Sequence, residues 1–211
     1  MRVIDIKNPR VLSLLENFRS FIEKYDVINN NTKMEDAKDS SPKSWVSSEY
    51  RDYIIGLGKL HEGGPTSAKS FALKPEHYHG SDPNYKKDFI RIDESFIMEL
   101  GLKCNALSQL YPPEGYIAWH NNANAAGYNL IFTWSETGDG WFKYVNKYGK
   151  EITLPDKKGW SLKAGYFGDY ESGKLCYHAA YTKCLRITQA FVVSDDDKDY
   201  WDDCINYISG D

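Results

Sequence analysis

The sequence of 211 residues predicts a mainly β fold with helices, in which a sandwich or barrel of short strands follows a helical layer. Two observations lead to this expectation. From Lys103 onward, short aromatic and β-branched runs alternate with clusters of Gly, Pro, Asn and Asp. Before Lys103, apolar residues recur at helical spacing. We therefore expect one domain with a helical and loop-containing N-terminal layer and lid over 1–102, a β core over 103–193 and a C-terminal helix over 194–211.

The helices are predicted from apolar spacing and from end signals. After Pro9, apolar residues at three- and four-residue intervals predict an amphipathic helix that ends near Tyr25. Further helices are expected over 48–57 and over 93–100, where Gly101 would end the second one. In the tail from residue 194, an acidic first turn suits the helix dipole.

The remaining segments are assigned by composition. Polar residues, Gly and Pro dominate 29–43 and 61–87, which we expect to be loops that cover a pocket mouth. Seven runs are bounded by turn-forming residues and have the residue types of strands. These candidate strands are 106–111, 116–120, 128–135, 140–145, 159–166, 176–181 and 185–193.

Composition excludes several classes of function. A formal net charge of −4 and a pI near 5.8 provide no general attraction to nucleic acid, so a small molecule or a protein side chain is the expected substrate. The four cysteines form no C-x-x-C pair, which favours reduced thiols. The N-terminus lacks the apolar region of a signal peptide, and no apolar run reaches the length of a membrane span. We expect a cytoplasmic protein without membrane contact, and the oligomeric state stays open.

Two of the five histidines lie inside the β region and could share a metal ion. Side chains at i and i+2 of a strand point to the same face, so His120 and Asn122 would converge if their strand continues through both. His178 would arrive from a distant strand. Two imidazoles and one oxygen ligand are the donor set of many non-haem iron sites, but the oxygen ligand is normally a carboxylate. Here Asn122 offers a neutral amide.

A cation is predicted on another apolar strand. Arg186 and Thr188 share one face of the run 185–193, and an arginine buried there needs an anion. The guanidinium group can bind a ligand carboxylate through two hydrogen bonds, and the threonine hydroxyl can add another. Alternatively, Arg186 pairs with an acidic side chain of the protein and only connects strands.

The ordered combination of these residues resembles the 2-oxoglutarate/Fe(II)-dependent dioxygenases, and within them the prolyl-4-hydroxylase-like branch and small oxygenases of the kind often encoded by bacteriophages. The resemblance covers roughly 104–193 and does not reach the N-terminal third. The residues that carry it are Tyr111-Pro112, Gly115-Tyr116, His120, Asn122, the run Tyr128–Ser135, Gly140-Trp141-Phe142, His178, Arg186 and Thr188.

The resemblance implies a double-stranded β-helix, or jelly roll, backed by helices. It implies Fe(II) bound by His120 and His178, with Asn122 in the place of the carboxylate ligand. It also implies 2-oxoglutarate as co-substrate with O2, and release of succinate and CO2. Arg186 would bind the distal carboxylate of 2-oxoglutarate with Thr188 beside it. The residues that would line the co-substrate pocket are Tyr111, Tyr128 and Thr133.

Asn122 leaves three interpretations open. It could bind the metal through its amide oxygen, turn away and leave a coordination position for water or halide as in halogenase relatives, or mark a site without catalysis. Another residue could also take its place. The substitutes considered are Asn124, Glu114, Glu136 and Asp139, with His61, His77 and His79 as weaker alternatives.

Three functions compete on these residues. The leading one is an oxygenase that hydroxylates a C–H bond. The second is a non-catalytic jelly-roll module that keeps the pocket and binds a ligand. The third, a cupin-type isomerase, leaves Arg186 and Thr188 unexplained.

Overall fold

The computed structural model describes residues 1–34, 41–194 and 197–210. The described helices are α1 (Pro9–Lys24), α2 (Val27–Asn30), α3 (Pro42–Trp45), α4 (Ser48–Leu57), α5 (Asn84–Leu100) and α6 (Lys198–Ser209). The described strands are β1 (Arg2–Ile4), β2 (Lys33–Met34), β3 (Ala68–Ala72), β4 (Cys104–Tyr111), β5 (Tyr116–His120), β6 (Gly127–Ser135), β7 (Gly140–Val145), β8 (Glu151–Pro155), β9 (Gly159–Phe167), β10 (His178–Thr182) and β11 (Arg186–Ser194).

The strands form a nearly closed antiparallel barrel of the jelly-roll type, which confirms the predicted fold class. Their order is β1-β9-β6-β11-β4-β3-β5-β10-β7-β8, with β2 beside β3. One half contains β9, β6, β11 and β4, and the other contains β5, β10, β7 and β8. Strand β3 joins the two halves because Phe71 pairs with Leu110 of β4 and Ala68 pairs with Ile117 of β5.

Alternation along β6 separates the helical layer from the barrel interior. Leu130, Phe132 and Trp134 belong to the core beneath the helices, whereas Ile131 belongs to the cluster inside the barrel. Helices α1, α5 and α6 bury their apolar faces on this half of the sheet, whereas α3 and α4 pack against β5 of the other half. Phe96 of α5, for example, lies 5.9 Å from Phe132 between ring centroids.

Most predicted elements are present. All seven predicted strands are found, and their ends agree with the prediction to within two residues. The helix predicted over 48–57 is α4, and the helix after Pro9 is α1. The C-terminal helix begins at Lys198, where the Asp197 side chain accepts a hydrogen bond from the Tyr200 amide. In the described part of the chain, none of the helices is long and apolar enough to cross a bilayer.

The two predicted loops are the main errors. The segment 61–87 contains β3 and the first turn of α5, which starts at Asn84 instead of 93. Strand β3 has no β-branched residue, and its burial comes from its place between the two halves. The segment 29–43 includes β2 and the beginning of α3, while 35–40 lie outside the described residues. Strands β1 and β8 were not predicted.

Candidate metal and carboxylate site

A cavity of about 660 Å³ opens inside the barrel, with walls from both halves of the sheet. His120, Asn122, His178, Arg186 and Thr188 all line it. Most other wall residues are apolar. They include Ile117, Ile131, Phe142, Phe167, Ala180 and Ala190. The fold therefore brings the five site residues, which are up to 68 positions apart in the sequence, to one enclosed space.

The two predicted histidines are direct neighbours. His120 is the last residue of β5, and His178 is the first residue of β10 and pairs with it across the antiparallel ladder. Their ring centroids lie 4.1 Å apart. Each Nδ1 lies 2.8 Å from a backbone carbonyl oxygen two residues earlier, that of Ala118 and that of Cys176. A carbonyl only accepts, so each Nδ1 carries the proton and each Nε2 keeps its lone pair for a ligand.

Both imidazoles are held in the neutral form. Burial lowers the pKa of His178 to about 4. Burial and, next, the neighbouring His178 lower the pKa of His120 well below its usual range. Neutral imidazole is the form that binds first-row metals, so no proton has to leave before a metal enters near neutral pH.

Asn122 lines the cavity, but it is not part of a continuous strand with His120. Strand β5 ends at His120, and the chain then turns, with the backbone amide of Ala125 donating a hydrogen bond to the backbone carbonyl oxygen of Asn122. The premise that i and i+2 share a strand face is therefore wrong here, although both side chains reach the same cavity wall. Among the described residues, no group of three or more His, Cys, Asp and Glu side chains is arranged to hold a metal.

The acidic substitutes predicted for Asn122 are engaged elsewhere. Glu114 accepts a hydrogen bond from the Tyr181 hydroxyl at 2.6 Å. Glu136 accepts from the Leu185 amide at 3.4 Å, and Asp139 from the Thr137 hydroxyl at 2.8 Å. Glu114 precedes β5 and the other two precede β7, whereas the histidine pair lies at the other end of β5. None of these three carboxylates lines the cavity that contains the histidine pair.

The polar substitutes also lie outside the cavity wall. Asn124 and His61 line a neighbouring pocket together with Tyr170. His77 lies in a short turn, and exposed His79 has its Nε2 2.7 Å from the Thr32 hydroxyl. None of these four predicted alternatives lines the cavity that contains the histidine pair.

Arg186 is buried, with 1% of its surface exposed, and it already has partners. Its Nε donates to Asp156 Oδ2 at 3.0 Å, Nη1 to the Thr188 hydroxyl at 2.6 Å and Nη2 to the Thr133 hydroxyl at 3.4 Å. The guanidinium carbon lies 5.3 Å from the Tyr111 ring centroid. The alternative in which Arg186 pairs with an acidic side chain is thus realised, yet both hydroxyl partners are uncharged.

A second buried cation shares the same carboxylate. Lys163 Nζ donates to Asp156 Oδ1 at 2.6 Å, and the two side chains are 1% and 0% exposed. Burial raises the pKa of Asp156, but Arg186 and Lys163 lower it by more. Burial also lowers the pKa of Lys163, against the effect of Asp156. Two cations and one carboxylate leave a net positive charge in a buried place, which favours an anionic ligand.

Sequence reasoning missed Lys163 and Asp156. Lys163 carries a usable signal, because it is a single cation between Leu162 and Ala164 in a predicted strand, the same pattern that identified Arg186. Asp156 follows Pro155 in a turn and looks like an ordinary turn residue. Only the pairing of β9 with β6, which in turn pairs with β11, shows that they share one cluster.

The residues predicted to line the co-substrate pocket divide between two faces. Tyr111 lines the cavity, and burial raises the pKa of its phenol to about 12, so the hydroxyl stays protonated. Thr133 points to the same interior and contacts Arg186. Tyr128 is on the opposite face of β6, with its ring centroid 4.9 Å from those of Tyr166 and Trp201. The assignment of Tyr128 to the pocket is therefore wrong.

No protein-family model matches the sequence, and no curated protein sequence matches it. Among solved structures, a prolyl-4-hydroxylase from Pseudomonas putida is similar, with 12% identity over 82% of this chain and 98% of that chain and a TM-score of 0.34. A predicted oxalate decarboxylase from Thermotoga maritima shares 12% identity over 60% of this chain and 91% of that chain, with a TM-score of 0.28. A cupin-like protein from the same organism shares 12% identity over 42% and 55%, with a TM-score of 0.25. The likeness is a distant one of fold, and the chemistry of the site rests on the residues described above.

Proposed function

We propose that this protein is an Fe(II)- and 2-oxoglutarate-dependent oxygenase that hydroxylates a C–H bond of an amino-acid, peptide or small-molecule substrate. The observation that carries the proposal is that one cavity is lined both by the neutral His120 and His178 pair and by buried Arg186 with Thr188. Succinate and CO2 would be the co-products.

The donor set fits a divalent first-row metal. The two Nε2 lone pairs are unprotonated, and the Asn122 amide lines the same wall. Because all three donors are neutral, we expect a weaker metal affinity than a carboxylate-containing site would have. When bound, iron together with 2-oxoglutarate and O2 would supply the oxidising chemistry.

The cation cluster fits the distal carboxylate of 2-oxoglutarate. Arg186 donates two of its hydrogen bonds to the oxygen atoms of threonine hydroxyls. Each hydroxyl also has its own O–H, which can rotate and donate to an arriving carboxylate. Such a ligand would also balance the net positive charge left by Arg186 and Lys163 against Asp156. Tyr111, which keeps its proton, would lie beside it.

The substrate would approach the cavity past residues that belong to the N-terminal half of the sequence. Met34, Glu62, Gly64 and Pro65 contribute to the cavity wall, although they come from segments predicted to be loops. The apolar walls exclude water and favour a substrate with an aliphatic or aromatic portion. We infer that these segments determine which substrate is accepted.

Succinate formation tests the proposed function. The purified protein is incubated in air with Fe(II), ascorbate and 2-oxoglutarate, with and without a panel of amino acids and peptides. We expect metal-dependent succinate release that His178→Ala abolishes and that His79→Ala, a matched change at an exposed histidine, leaves intact. Equal succinate release by the native protein and by His178→Ala would contradict the proposal.

A non-catalytic binding module is the second candidate, and the neutral Asn122 on the cavity wall favours it, because among the described residues no group of three His, Cys, Asp and Glu side chains is arranged to hold a metal. It predicts that 2-oxoglutarate binds equally well after His120 and His178 are both replaced by Ala. The oxygenase predicts that metal strengthens 2-oxoglutarate binding, because the same cavity holds both. Calorimetric titration of 2-oxoglutarate with and without Mn(II) separates the two functions.

A further inference from the structure

We infer that Glu62 supplies the carboxylate ligand of the metal site, in place of the residue two positions after His120. The inference rests on the proposed function and names the missing component of its metal centre. A carboxylate would give the site the charged oxygen donor that divalent iron prefers and that Asn122 lacks.

Glu62 lies in the wall of the cavity that contains the two histidines. Within the described ranges, Glu62 is the one acidic residue that lines the cavity shared by His120, His178 and Asn122. The other acidic candidates, Glu114, Glu136 and Asp139, are absent from this wall and hydrogen bonded elsewhere.

The backbone around Glu62 is anchored by contacts of its two neighbours in the sequence, His61 and Gly63. Gly63 has a φ of +85°, and a Cβ placed there would come within 2.6 Å of the Ala123 Cβ. The Tyr170 hydroxyl lies 2.5 Å from the His61 carbonyl oxygen and accepts a hydrogen bond from Asn121 Nδ2 at 3.1 Å. Glu62 is thus held against the loop that follows His120.

The Glu62 side chain can change its conformation without breaking an interaction among the described residues. The Glu62 carboxylate is exposed, and in the described parts of the chain no hydrogen bond or ion pair engages it. Its place on the cavity wall is set by the backbone, whereas its side-chain torsions are not fixed by a partner. Because no three-residue group is in ligating arrangement as described, metal binding would require the Glu62 side chain to rotate toward the imidazoles.

His61 is the neighbouring alternative. It is 4% exposed, and its Nε2 has no hydrogen-bond partner among the described residues. His61 and Glu62 both line the adjacent pocket with Asn124 and Tyr170, but of the two only Glu62 also lines the cavity that contains the histidine pair. We therefore choose Glu62 as the ligand, and the experiment separates the two residues.

The test is anaerobic titration with Co(II) alone, followed by visible absorbance and by calorimetry, so that the readout does not depend on turnover. We expect Glu62→Gln to weaken Co(II) binding at least about tenfold, as changes around metal sites do. Glu171→Gln is the matched control, because Glu171 is exposed and lines the adjacent pocket. In the Glu62→Gln background, Asn122→Asp should restore the affinity by returning a carboxylate to the site.

Several outcomes would overturn the inference. Native Co(II) affinity in Glu62→Gln, together with its loss in His120→Ala, would reject Glu62 and leave the proposed function in place. A loss in His61→Gln without a loss in Glu62→Gln would assign the position to His61. If neither the native protein nor Asn122→Asp binds Co(II), both the Glu62 ligand and the proposed oxygenase function are wrong.

Discussion

The histidine region and the arginine region of the cavity differ in how far the protein's own side chains satisfy them. His120 and His178 are fixed by backbone carbonyl groups, but in the part of the chain that the structure describes no third His, Cys, Asp or Glu side chain completes a metal site with them. Arg186 already has three partners, one of them the carboxylate of Asp156. The first region therefore needs a metal and a further ligand, whereas the second needs only one more negative charge. The first should decide activity, and the second should decide stability as well as co-substrate affinity.

The largest expected effect is on the stability of the arginine region. Asp156→Asn leaves Arg186 and Lys163 as two buried cations without a counter-ion, and breaking such a pair typically costs about 3–5 kcal/mol. We expect the free energy of unfolding in urea to fall by that amount. Asp139→Asn, an exposed position, should change it by less than about 0.5 kcal/mol. Equal effects of the two substitutions would show that the negative charge of Asp156 does not stabilise the two buried cations.

The histidine region should make the metal-free protein sensitive to acid. The pKa of His178 is about 4 in the folded state and near 6.5 in an unfolded chain, so the unfolded state binds more protons between these values. His178 alone should therefore lower the free energy of unfolding by about 3 kcal/mol as the pH drops from about 6.5 to 4. Thermal unfolding across this range measures the slope.

The matched variant for this pH dependence is His178→Gln, which removes the titrating group. Its slope between pH 6.5 and 4 should be smaller than that of the native protein. An unchanged slope would mean that other groups cause the acid sensitivity and that the burial of His178 has little effect on its protonation.

Metal binding should depend on the histidine region and not on the arginine region. His120→Ala or His178→Ala should weaken Mn(II) binding by at least about 100-fold, because even changes outside the ligand sphere can cost up to that factor. Arg186→Gln should leave Mn(II) binding within about twofold, since the guanidinium group contacts neither imidazole. A large loss of metal affinity in Arg186→Gln would mean that the two regions are not independent.

Co-substrate binding should depend on both regions. Hydrogen bonds to a charged group contribute about 1.5–3 kcal/mol, so Arg186→Gln should weaken 2-oxoglutarate binding about 10- to 100-fold in the presence of Mn(II). Lys163 remains in this variant to balance Asp156, which preserves the fold. Calorimetry with 2-oxoglutarate provides the affinity, and thermal unfolding checks that the protein is intact.

The smallest effect is expected at the tyrosine placed on the wrong face by sequence reasoning. Tyr128→Phe should change 2-oxoglutarate affinity by less than about twofold, because Tyr128 packs against Trp201 beneath the helices. Tyr111→Phe, in contrast, removes a hydroxyl from the cavity wall and should weaken binding more. An equal loss in both variants would place Tyr128 in the co-substrate pocket after all.

The sequence predicted those parts of the molecule that depend on local pattern. Alternating apolar residues and turn formers were enough to place β5, β6 and β11, and hence His120 and Arg186, on strands. Strand β3 was missed because its residues have weak strand preference, and only its pairing with both halves of the barrel makes it a strand.

The site was predicted less completely, because its missing components come from long-range packing. Tyr128 was assigned to the pocket by its position in a motif, although strand alternation puts it on the opposite face from Thr133. Lys163 and Asp156 join Arg186 only after β9 packs beside β6. Glu62 lies in a segment of turn-forming residues where the sequence carries no sign of a contact with the loop after His120.

The most direct test of the whole account is an anaerobic titration of the Fe(II)-loaded protein with 2-oxoglutarate, followed by visible absorbance. We predict that a metal-to-ligand charge-transfer band appears in the native protein, requires a higher 2-oxoglutarate concentration in Arg186→Gln and is absent in His178→Ala. That pattern would require metal at the histidine pair and a carboxylate at Arg186 within one cavity. Absence of the band in the native protein at saturating Fe(II) and 2-oxoglutarate would contradict the account.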